Sequence, residues 1–176
     1  MAKIGCKHLN FCPVGAEAGV NVGPLVEANL AINLASGEIY GDDIIQESAS
    51  EFASGTLTCA VTDMAPEVAS TLYGSTLTEN ELVDNAGDTA PYGALGYYKT
   101  MLVGGVRTFE AVVYPKVKAA LGNDDSTTKG SSIDFGSTPV TFTILTDATG
   151  NWRKRERFTV ESEAIAYVNT ATSVTE

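Results

Sequence analysis

The stretch PYGALGYYKTMLVGGVRTFEAVVYPKVKA, from Pro91 to Ala119, decides the fold class. Two arms rich in aromatic and β-branched residues flank the pair Gly104-Gly105. Glycine adopts the positive φ angles that a two-residue hairpin turn needs, so the stretch predicts a long β-hairpin. The stretch offers hydrogen bonding between main chains and contains no recognisable catalytic group. This indicates a protein with a structural role.

Hydrophobic alternation predicts further strands upstream of this hairpin. LVEANLAINLA, from Leu25, alternates with the period of two that gives a strand one polar and one apolar face. A second strand is predicted from Glu38 to Glu47, broken near Gly41, and a third begins at Thr56. On the first strand, the side chains expected on the polar face are Leu25, Glu27, Asn29, Ala31 and Asn33, and those expected on the apolar face are Val26, Ala28, Leu30, Ile32 and Leu34. On the third strand, the side chains expected to be buried are Leu57, Cys59 and Val61.

Two helices and several shorter elements complete the prediction. PEVASTLYG predicts a short helix, because Pro66 suits a first turn and Gly74 suits a C-terminal cap. A second helix is predicted over Glu161–Asn169 from the helical spacing of its apolar residues. Strands are expected at 132–135, 140–146 and 151–160, and a loop at 122–130.

These elements predict a mainly β (α+β) fold with one principal domain, because 176 residues can bury about two-thirds of their unfolded surface. We expect an irregular N-terminal arm or loop over residues 1–23, the domain itself over 24–170, and a flexible C-terminal tail over 171–176.

The charge of the chain is strongly and unevenly negative. Twenty-two acidic and 11 basic residues give a net charge of −11, and residues 1–98 hold 13 of the acids but only Lys3 and Lys7. Such a surface repels free nucleic acid, whose affinity for proteins comes largely from Lys and Arg at phosphates. Solubility alone is the alternative explanation of the acidity.

The three cysteines are expected to be free thiols of a protein made in a reducing cytosol. The start MAKIGCKHLNF lacks the apolar run of a signal peptide, and no window reaches the roughly 18 apolar residues of a membrane span. Cys6, His8 and Cys12 have zinc-ligand chemistry, but a structural zinc site would need Cys59 as its fourth ligand. We therefore predict no metal and no cofactor.

The sequence contains no recognisable catalytic constellation. His8 is the only histidine available to activate a nucleophile, and the Gly-rich segments match neither the P-loop nor the dinucleotide pattern. The adjacent acids Asp42-Asp43 and Asp124-Asp125 suit solvated turns. An enzyme would need two opposed acids in one pocket, for instance Asp42 with Asp134, so we predict no catalytic residues.

A row of basic residues occurs in NWRKRERFTV. Alternation predicts Arg153, Arg155 and Arg157 on one face of a strand, opposite Trp152 and its alternating partners. Because the chain is otherwise acidic, we expect the row to bind carboxylates of a neighbouring copy. The alternative is that the row lies in solvent on an edge strand, where its charge prevents pairing with strands of other chains.

Several segments together resemble the major tail proteins of long-tailed, non-contractile phages of Gram-positive bacteria. The segments that carry the resemblance are EIYGDD at 38–43, the helix around 64–72, NAGDTAPYGALGYYKTMLVGGVRTFEAVVYPKVKA at 85–119, TKGSSIDFGSTP at 128–139, GNWRKRERF at 150–158 and SEAIAYVN at 162–169. Their order and spacing cover most of residues 25–169.

The resemblance implies a non-catalytic, structural protein of the virion tail, made and assembled in the host cytoplasm. It implies a tail-tube β-sandwich or partial barrel with a flanking helix and a C-terminal helix. Hexameric rings would each close a β-barrel of about 24 strands, stack into a tube and pass double-stranded DNA. The implied partners are further copies of the chain, a tape-measure protein, and tail terminator and distal tail proteins.

The polar face of the first strand suits the wall of such a bore. Glu27, Asn29 and Asn33 would face the lumen, where carboxylates and amides repel phosphate weakly and evenly. The arginine row should then lie away from the lumen. Two alternatives stay open: the tube protein of a contractile injection system, and a carbohydrate-binding β-sandwich with exposed aromatic residues that would include Trp152.

Overall fold

The structure is a computed structural model that describes residues 2–42, 44–122 and 136–175. Within these ranges the chain is mainly β, which confirms the predicted class, and it has two helices. The strands are β1 (Ala2–Pro13), β2 (Val20–Gly23), β3 (Leu25–Gly41), β4 (Ile44–Val61), β5 (Thr76–Thr78), β6 (Glu81–Val83), β7 (Tyr92–Val103), β8 (Val106–Ala120), β9 (Thr138–Ile144) and β10 (Lys154–Phe158). The helices are α1 (Pro66–Tyr73) and α2 (Glu161–Ala171).

One antiparallel sheet organises the molecule. Its strands lie in the order β2-β1-β7-β8-β9-β4-β3, and β10 pairs with β8 beside this path. On the edge away from β7, strand β8 pairs with two strands: residues 109–113 pair with β10 and the last residues pair with β9. The short strands β5 and β6 form a separate hairpin.

The predicted hairpin at the Gly-Gly pair is confirmed as β7–β8. Gly104 and Gly105 have φ angles of 59° and 84°, and Val103 pairs directly with Val106 across the turn. Positive φ at both turn residues matches the twist of the flanking strands, which is why this turn joins two long strands without splaying them.

The main core lies on the inner face of the sheet. Alternate residues of six strands meet there, and α1 adds Leu72. The buried members are Leu9, Phe11, Val22, Leu57, Cys59, Val61, Leu72, Leu95, Tyr97, Val112, Tyr114, Val117, Ala119, Val140, Phe142 and Ile144. The burial predicted for Leu57, Cys59 and Val61 is thereby confirmed.

Both predicted helices are confirmed, and they cover different parts of the sheet. Helix α1 begins with Pro66 in its first turn and ends at Gly74, whose φ of 78° closes the C-terminal cap. Helix α2 lies on the outer face, where Ala164 and Val168 pack against β7 and β8. The central strands are therefore buried on both faces.

The sheet curls until its outer strands approach each other without closing. Cys6 Sγ of β1 lies 3.9 Å from the carbonyl oxygen of Val26 of β3. No ladder joins β1 to β3 in the part of the chain that the structure describes, so a closed barrel is not formed there.

The irregular structure expected for residues 1–23 is wrong. This segment forms β1 and β2, and β1 pairs with β7 along most of its length. The alternation of β1 is broken by register shifts between Lys3 and Gly5 and between Lys7 and Asn10, and His8 between the last two has a φ of 64°. These interruptions hid the strand in the sequence, because periodicity is the main signal of a strand.

The separate strand predicted from Glu38 to Glu47 is also wrong. Its two halves are the end of β3 and the start of β4, so the predicted break is the tip of one long hairpin. Gly41 pairs with Ile44, and Asp42 has a positive φ of 50° at the turn.

The beginning of the expected C-terminal tail is ordered against the fold, and the flexibility expected for its remainder stays a prediction. Helix α2 continues to Ala171, and Thr172 is completely buried. Gly19 N–H donates a hydrogen bond of 2.9 Å to the Ser173 carbonyl, which ties the end of the chain to the turn between β1 and β2. The predicted strand at 132–135 and most of the predicted loop at 122–130 lie outside the described residues.

Candidate assembly site

The hairpin of β3 and β4 extends beyond the body of the molecule. Every described side chain at 31–40 and 44–51 is exposed. At the opposite end of the hairpin, in the body of the molecule, Leu25 is partly buried and Val61 is buried. We call residues 32–42 and 44–54 the arm. A two-stranded hairpin without a core is marginally stable in water, so this arm would gain stability from a covering surface.

One face of the arm continues the core face of the hairpin. Leu30 packs against the core and pairs with Leu57, and the next alternate residues, Ile32 and Leu34, are 43% and 60% exposed. Nearer the tip, Tyr40 pairs with Ile45, and these two side chains are 63% and 52% exposed. We call this set the apolar stripe: Ile32, Leu34, Tyr40 and Ile45.

The opposite face carries the residues expected to line a lumen. Glu27, Asn29 and Asn33 are exposed and share one face, and Asn33 Nδ2 donates a hydrogen bond of 3.1 Å to Ser54 Oγ. Neither β3 nor β4 contains Lys or Arg. The polar face is therefore as predicted from Glu27 to Asn33, whereas Ile39 nearer the tip is 62% exposed on the same face. The position of this face in a lumen stays a prediction.

The first two residues of β3 depart from the predicted alternation. A register shift between Leu25 and Glu27 turns Leu25 toward the core and leaves Val26 54% exposed. A bulge moves each side chain before it to the other face, so the pattern derived from Glu27 fails there.

The arginine row lies on the inner face of the sheet. Arg155 pairs with Val112 of the core and Arg157 pairs with Glu110, while Phe158 packs against Tyr167 on the outer face. The predicted separation of faces holds within β10, because Lys154 and Phe158 alternate with the two arginines.

Trp152 precedes β10 and does not follow its alternation. Its ring stacks on Phe52 of the arm at 4.3 Å between centroids and an interplanar angle of 4°. The guanidinium carbon of Arg153 lies 4.4 Å from the Trp152 ring centroid. This stack joins the base of the arm to the segment before β10. A carbohydrate-binding role for Trp152 would need a free ring face, and its contacts with Phe52 and Arg153 argue against that role.

A groove of about 600 Å³ lies between the facing strands β1 and β3. We call it the charged groove. Its charged lining residues are Lys3, Glu27, Lys99, Glu110, Arg153 and Arg155.

The charged groove brings together side chains that we expected on separate surfaces. Glu27 and Asn29, expected in a lumen, share it with Arg153 and Arg155, expected away from the lumen. The curled sheet brings them together because it places β3 opposite the segment that leads into β10. The expectation that the arginine row lies away from a lumen stays a prediction. Lys99 carries no signal in the sequence, since its position opposite Glu110 depends on the register of β7 and β8.

Cations are in excess in the charged groove. The pKa of Lys99 is lowered, first by burial and then by repulsion from Lys3, Arg153 and Arg155, although Glu110 opposes this effect. Glu110 is only 7% exposed, and it also accepts a hydrogen bond of 3.2 Å from Arg157 Nε. The lining of the groove thus carries more positive than negative side chains in an otherwise acidic protein.

The cysteines and the histidine considered for metal binding are not arranged around a common site in the described residues. Burial raises the pKa of the Cys59 thiol to about 12, which opposes the thiolate form that metals and nucleophilic chemistry require. The His8 ring lies 2.6 Å, Nε2 to Oδ1, from Asn169 of α2, and Asn10 Nδ2 donates to the same oxygen at 2.8 Å. Among the residues described, no three His, Cys, Asp or Glu side chains gather as a metal site.

Of the acids named as a possible catalytic pair, only Asp42 lies within the described residues. Asp42 is exposed in the turn of the arm, and Asp124, Asp125 and Asp134 lie outside the described residues. The residues of the arm and of the charged groove are therefore the strongest candidates for function within the described ranges.

No described helix combines the length and the apolar character needed to cross a membrane. No protein-family model matches the chain, and no curated protein shows significant similarity to it.

Proposed function

We propose that the protein is the structural subunit of a phage tail tube, of the long-tailed, non-contractile type. In this proposal the curled sheet is the tail-tube partial barrel, and hexameric rings of it stack into a tube that conducts double-stranded DNA into the host. The subunit catalyses nothing and meets a tape-measure protein inside the tube. It is made in the host cytoplasm and functions in the virion tail, where tail terminator and distal tail proteins bound the tube.

The apolar stripe is the observation that carries this proposal. Four large side chains of this face are exposed on a hairpin that lacks a core of its own. They form two groups, Ile32 with Leu34 and Tyr40 with Ile45, and Ser36 and Glu38 lie between the groups. Exposed apolar clusters mark interaction sites, and fully burying one such side chain stabilises a contact by up to about 1.5–3 kcal/mol. Covering the stripe with another copy would therefore supply several kcal/mol toward assembly.

The free edge of β3 supports sharing of a sheet between copies. Strand β3 has 17 residues and pairs only with β4 among the strands described. Unpaired edges of this length invite a strand from another chain. In the proposed ring, a neighbouring copy pairs with this edge, and closure of the ring leaves no edge exposed.

The composition of the hairpin supports a bore that does not bind DNA. Its outer face presents Glu27, Asn29 and Asn33, and no cation occurs along either strand. Each phosphate neutralised by Lys or Arg strengthens DNA binding, so a lining without them lets the duplex slide.

Electron microscopy with negative stain, together with sedimentation velocity, tests the proposal directly. We expect the purified protein to form rings or hollow tubes as its concentration rises. The double variant Leu34→Ser/Tyr40→Ser removes half of the apolar stripe, and we expect it to sediment as a monomer of 18.4 kDa. A tenfold rise in the concentration needed for assembly would correspond to about 1.4 kcal/mol.

The matched control replaces exposed apolar residues away from the arm. Val14 and Leu121 are 75% and 79% exposed, and Val14→Ser/Leu121→Ser should assemble like the unmodified chain. A wild-type protein that stays monomeric at millimolar concentration, or a stripe variant that forms normal tubes, would reject the proposal.

A further inference from the structure

We propose that the charged groove binds the acidic tip of the arm from a second copy of the chain. This inference rests on the proposed function and deepens it, because it names the two surfaces that meet when copies assemble.

The charged groove has an excess of positive side chains. Lys3, Lys99, Arg153 and Arg155 face only Glu27 and Glu110 among its lining residues. Lys3 and Arg155 are exposed, so an incoming anion can reach them. The lowered pKa of Lys99 has crowding by these cations among its causes, and an added carboxylate would relieve that repulsion.

The arm carries the complementary charge. Its described acids are Glu38, Asp42, Glu47 and Glu51, and it contains no Lys or Arg. No ion pair in the described ranges involves any of these four. Glu38 accepts a hydrogen bond of 2.8 Å from Tyr40, which leaves its charge uncompensated. The arm therefore carries free carboxylates of the sign that the charged groove lacks, and Arg binds carboxylates with paired hydrogen bonds.

The tip of the arm lies far from the groove of its own chain. The groove adjoins residues 26–30 of β3, and the acidic tip lies around residues 38–47 of the same hairpin. Ten residues of strand separate Leu30 from Tyr40, which corresponds to roughly 33 Å. A tip at that distance cannot fold back into its own groove. It can enter the groove of another copy, and such a head-to-tail contact repeats into rings or filaments.

This contact also reconciles the groove with a bore that carries DNA. An open groove would present Lys3 and Arg155 to phosphate. A groove filled by Glu38 or Glu47 of a neighbour presents neutralised pairs instead, and DNA gains little by binding there.

Charge reversal tests the contact in the full-length chain. The variant Glu38→Lys/Glu47→Lys/Glu51→Lys should raise the concentration needed for assembly about tenfold or more, because close charge pairs across interfaces contribute strongly to affinity. The control Glu17→Lys/Glu67→Lys/Glu81→Lys makes the same change in net charge on exposed residues outside the arm. We expect this control to assemble at or below the wild-type concentration, since it lowers the overall repulsion.

Reversing the charge of the groove is the complementary experiment. Lys3→Glu/Arg155→Glu should also block assembly of a chain with a normal arm. Combining it with the reversed arm in one chain should restore assembly at least partly, because the charges again match. Failure of this combination to assemble any better than either parent would overturn the inference.

Cross-linking separates this inference from the tube proposal. A carbodiimide joins carboxylates to amines in contact, and a mixture of ¹⁴N- and ¹⁵N-labelled protein reveals which links join different copies. Links from Lys3 or Lys99 to Glu38, Glu47 or Glu51 of another copy support the contact even if no tube forms. Tubes that lack these links would overturn the contact and leave the tube proposal intact. If the Lys3→Glu/Arg155→Glu variant assembled normally but lost affinity for duplex DNA, the groove would be a nucleic-acid site and the inference would fail.

Discussion

At the scale of single residues, Glu161 joins three elements of the fold. It begins α2, and its Oε1 accepts hydrogen bonds from Tyr98 Oη of β7 at 2.5 Å and from Lys7 Nζ of β1 at 3.2 Å. The hydrogen bond from Tyr98 and the contact with Lys7 lower the pKa of this carboxyl. Sequence reasoning placed Glu161 at the start of the helix, but its two partners are distant in the chain and came only with the fold.

The lowered pKa of Glu161 predicts a dependence of stability on pH. A carboxyl whose pKa falls on folding stabilises the native state above its ordinary value, near 4.5, and this contribution is lost as pH falls through the folded pKa. Glu161→Gln should lower the free energy of unfolding by about 0.5–1 kcal/mol at pH 7, since the group is partly exposed. Between pH 5 and pH 3 the wild type should lose more stability than the variant.

Urea unfolding at pH 7, 5, 4 and 3 measures this effect. Glu163→Gln is the control, because Glu163 is exposed on the same helix and makes no hydrogen bond or ion pair within the described part of the chain. Parallel pH profiles for the wild type and Glu161→Gln would contradict the assignment. In a Tyr98→Phe background, the effect of Glu161→Gln should shrink, because the two groups act through one hydrogen bond.

At the scale of elements, the two long hairpins differ in how much the sequence predicted. The β7–β8 turn could be predicted because Gly104-Gly105 is a local signal that needs no tertiary contact. The turn between β3 and β4 was mistaken for a break within one strand, because Gly41-Asp42 carries a weaker signal. The great length of that hairpin became evident only from the pairing of Leu25 with Val61.

The stack of Phe52 on Trp152 holds the base of the arm against the segment before β10. Removing the stack should make both the arm and the Trp152 side chain more mobile. Phe52→Leu should shift the fluorescence of Trp152, the only tryptophan, to longer wavelength and lower the free energy of unfolding by about 1 kcal/mol. Amide hydrogen exchange in residues 32–54 should become faster, measured on dilute monomer so that assembly does not mask it.

Phe52→Tyr serves as the control, since it keeps an aromatic ring on Trp152. We expect its emission spectrum and its exchange rates to stay close to those of the wild type. Identical spectra for the leucine and tyrosine variants would show that the stack does not hold the arm.

At the scale of the whole molecule, the C-terminal end of the chain packs against the turn between β1 and β2. A Cβ built on Gly19 would lie 2.0 Å from the Thr172 carbonyl oxygen and 2.9 Å from that of Phe11. Both obstacles are backbone atoms, so a side chain at residue 19 must push the end of the chain away from β1. The close approach explains why Thr172 is buried although the composition of this segment suggested a tail.

Gly19→Ala should therefore destabilise the whole fold by about 2 kcal/mol, as overpacking in a tight site does. Thermal and urea unfolding measure the loss. Gly5→Ala is the control, because no atom lies within 4 Å of the Cβ it would add to β1. Equal stabilities of the two variants would mean that the C-terminal residues do not rest on Gly19.

The sequence by itself determined the strand-rich class, the Gly104-Gly105 hairpin, both helices and the polar face from Glu27 to Asn33. All of these depend on local signals: side-chain period, turn glycines and helix caps. Only the tertiary structure decided that β1 belongs to the sheet and that Lys99 and Arg155 line the same groove. It also decided that the apolar face of the β3–β4 hairpin continues past the core into water. The physical reason is that register, curvature and the reach of a core arise from pairing between distant segments, and no single segment encodes them.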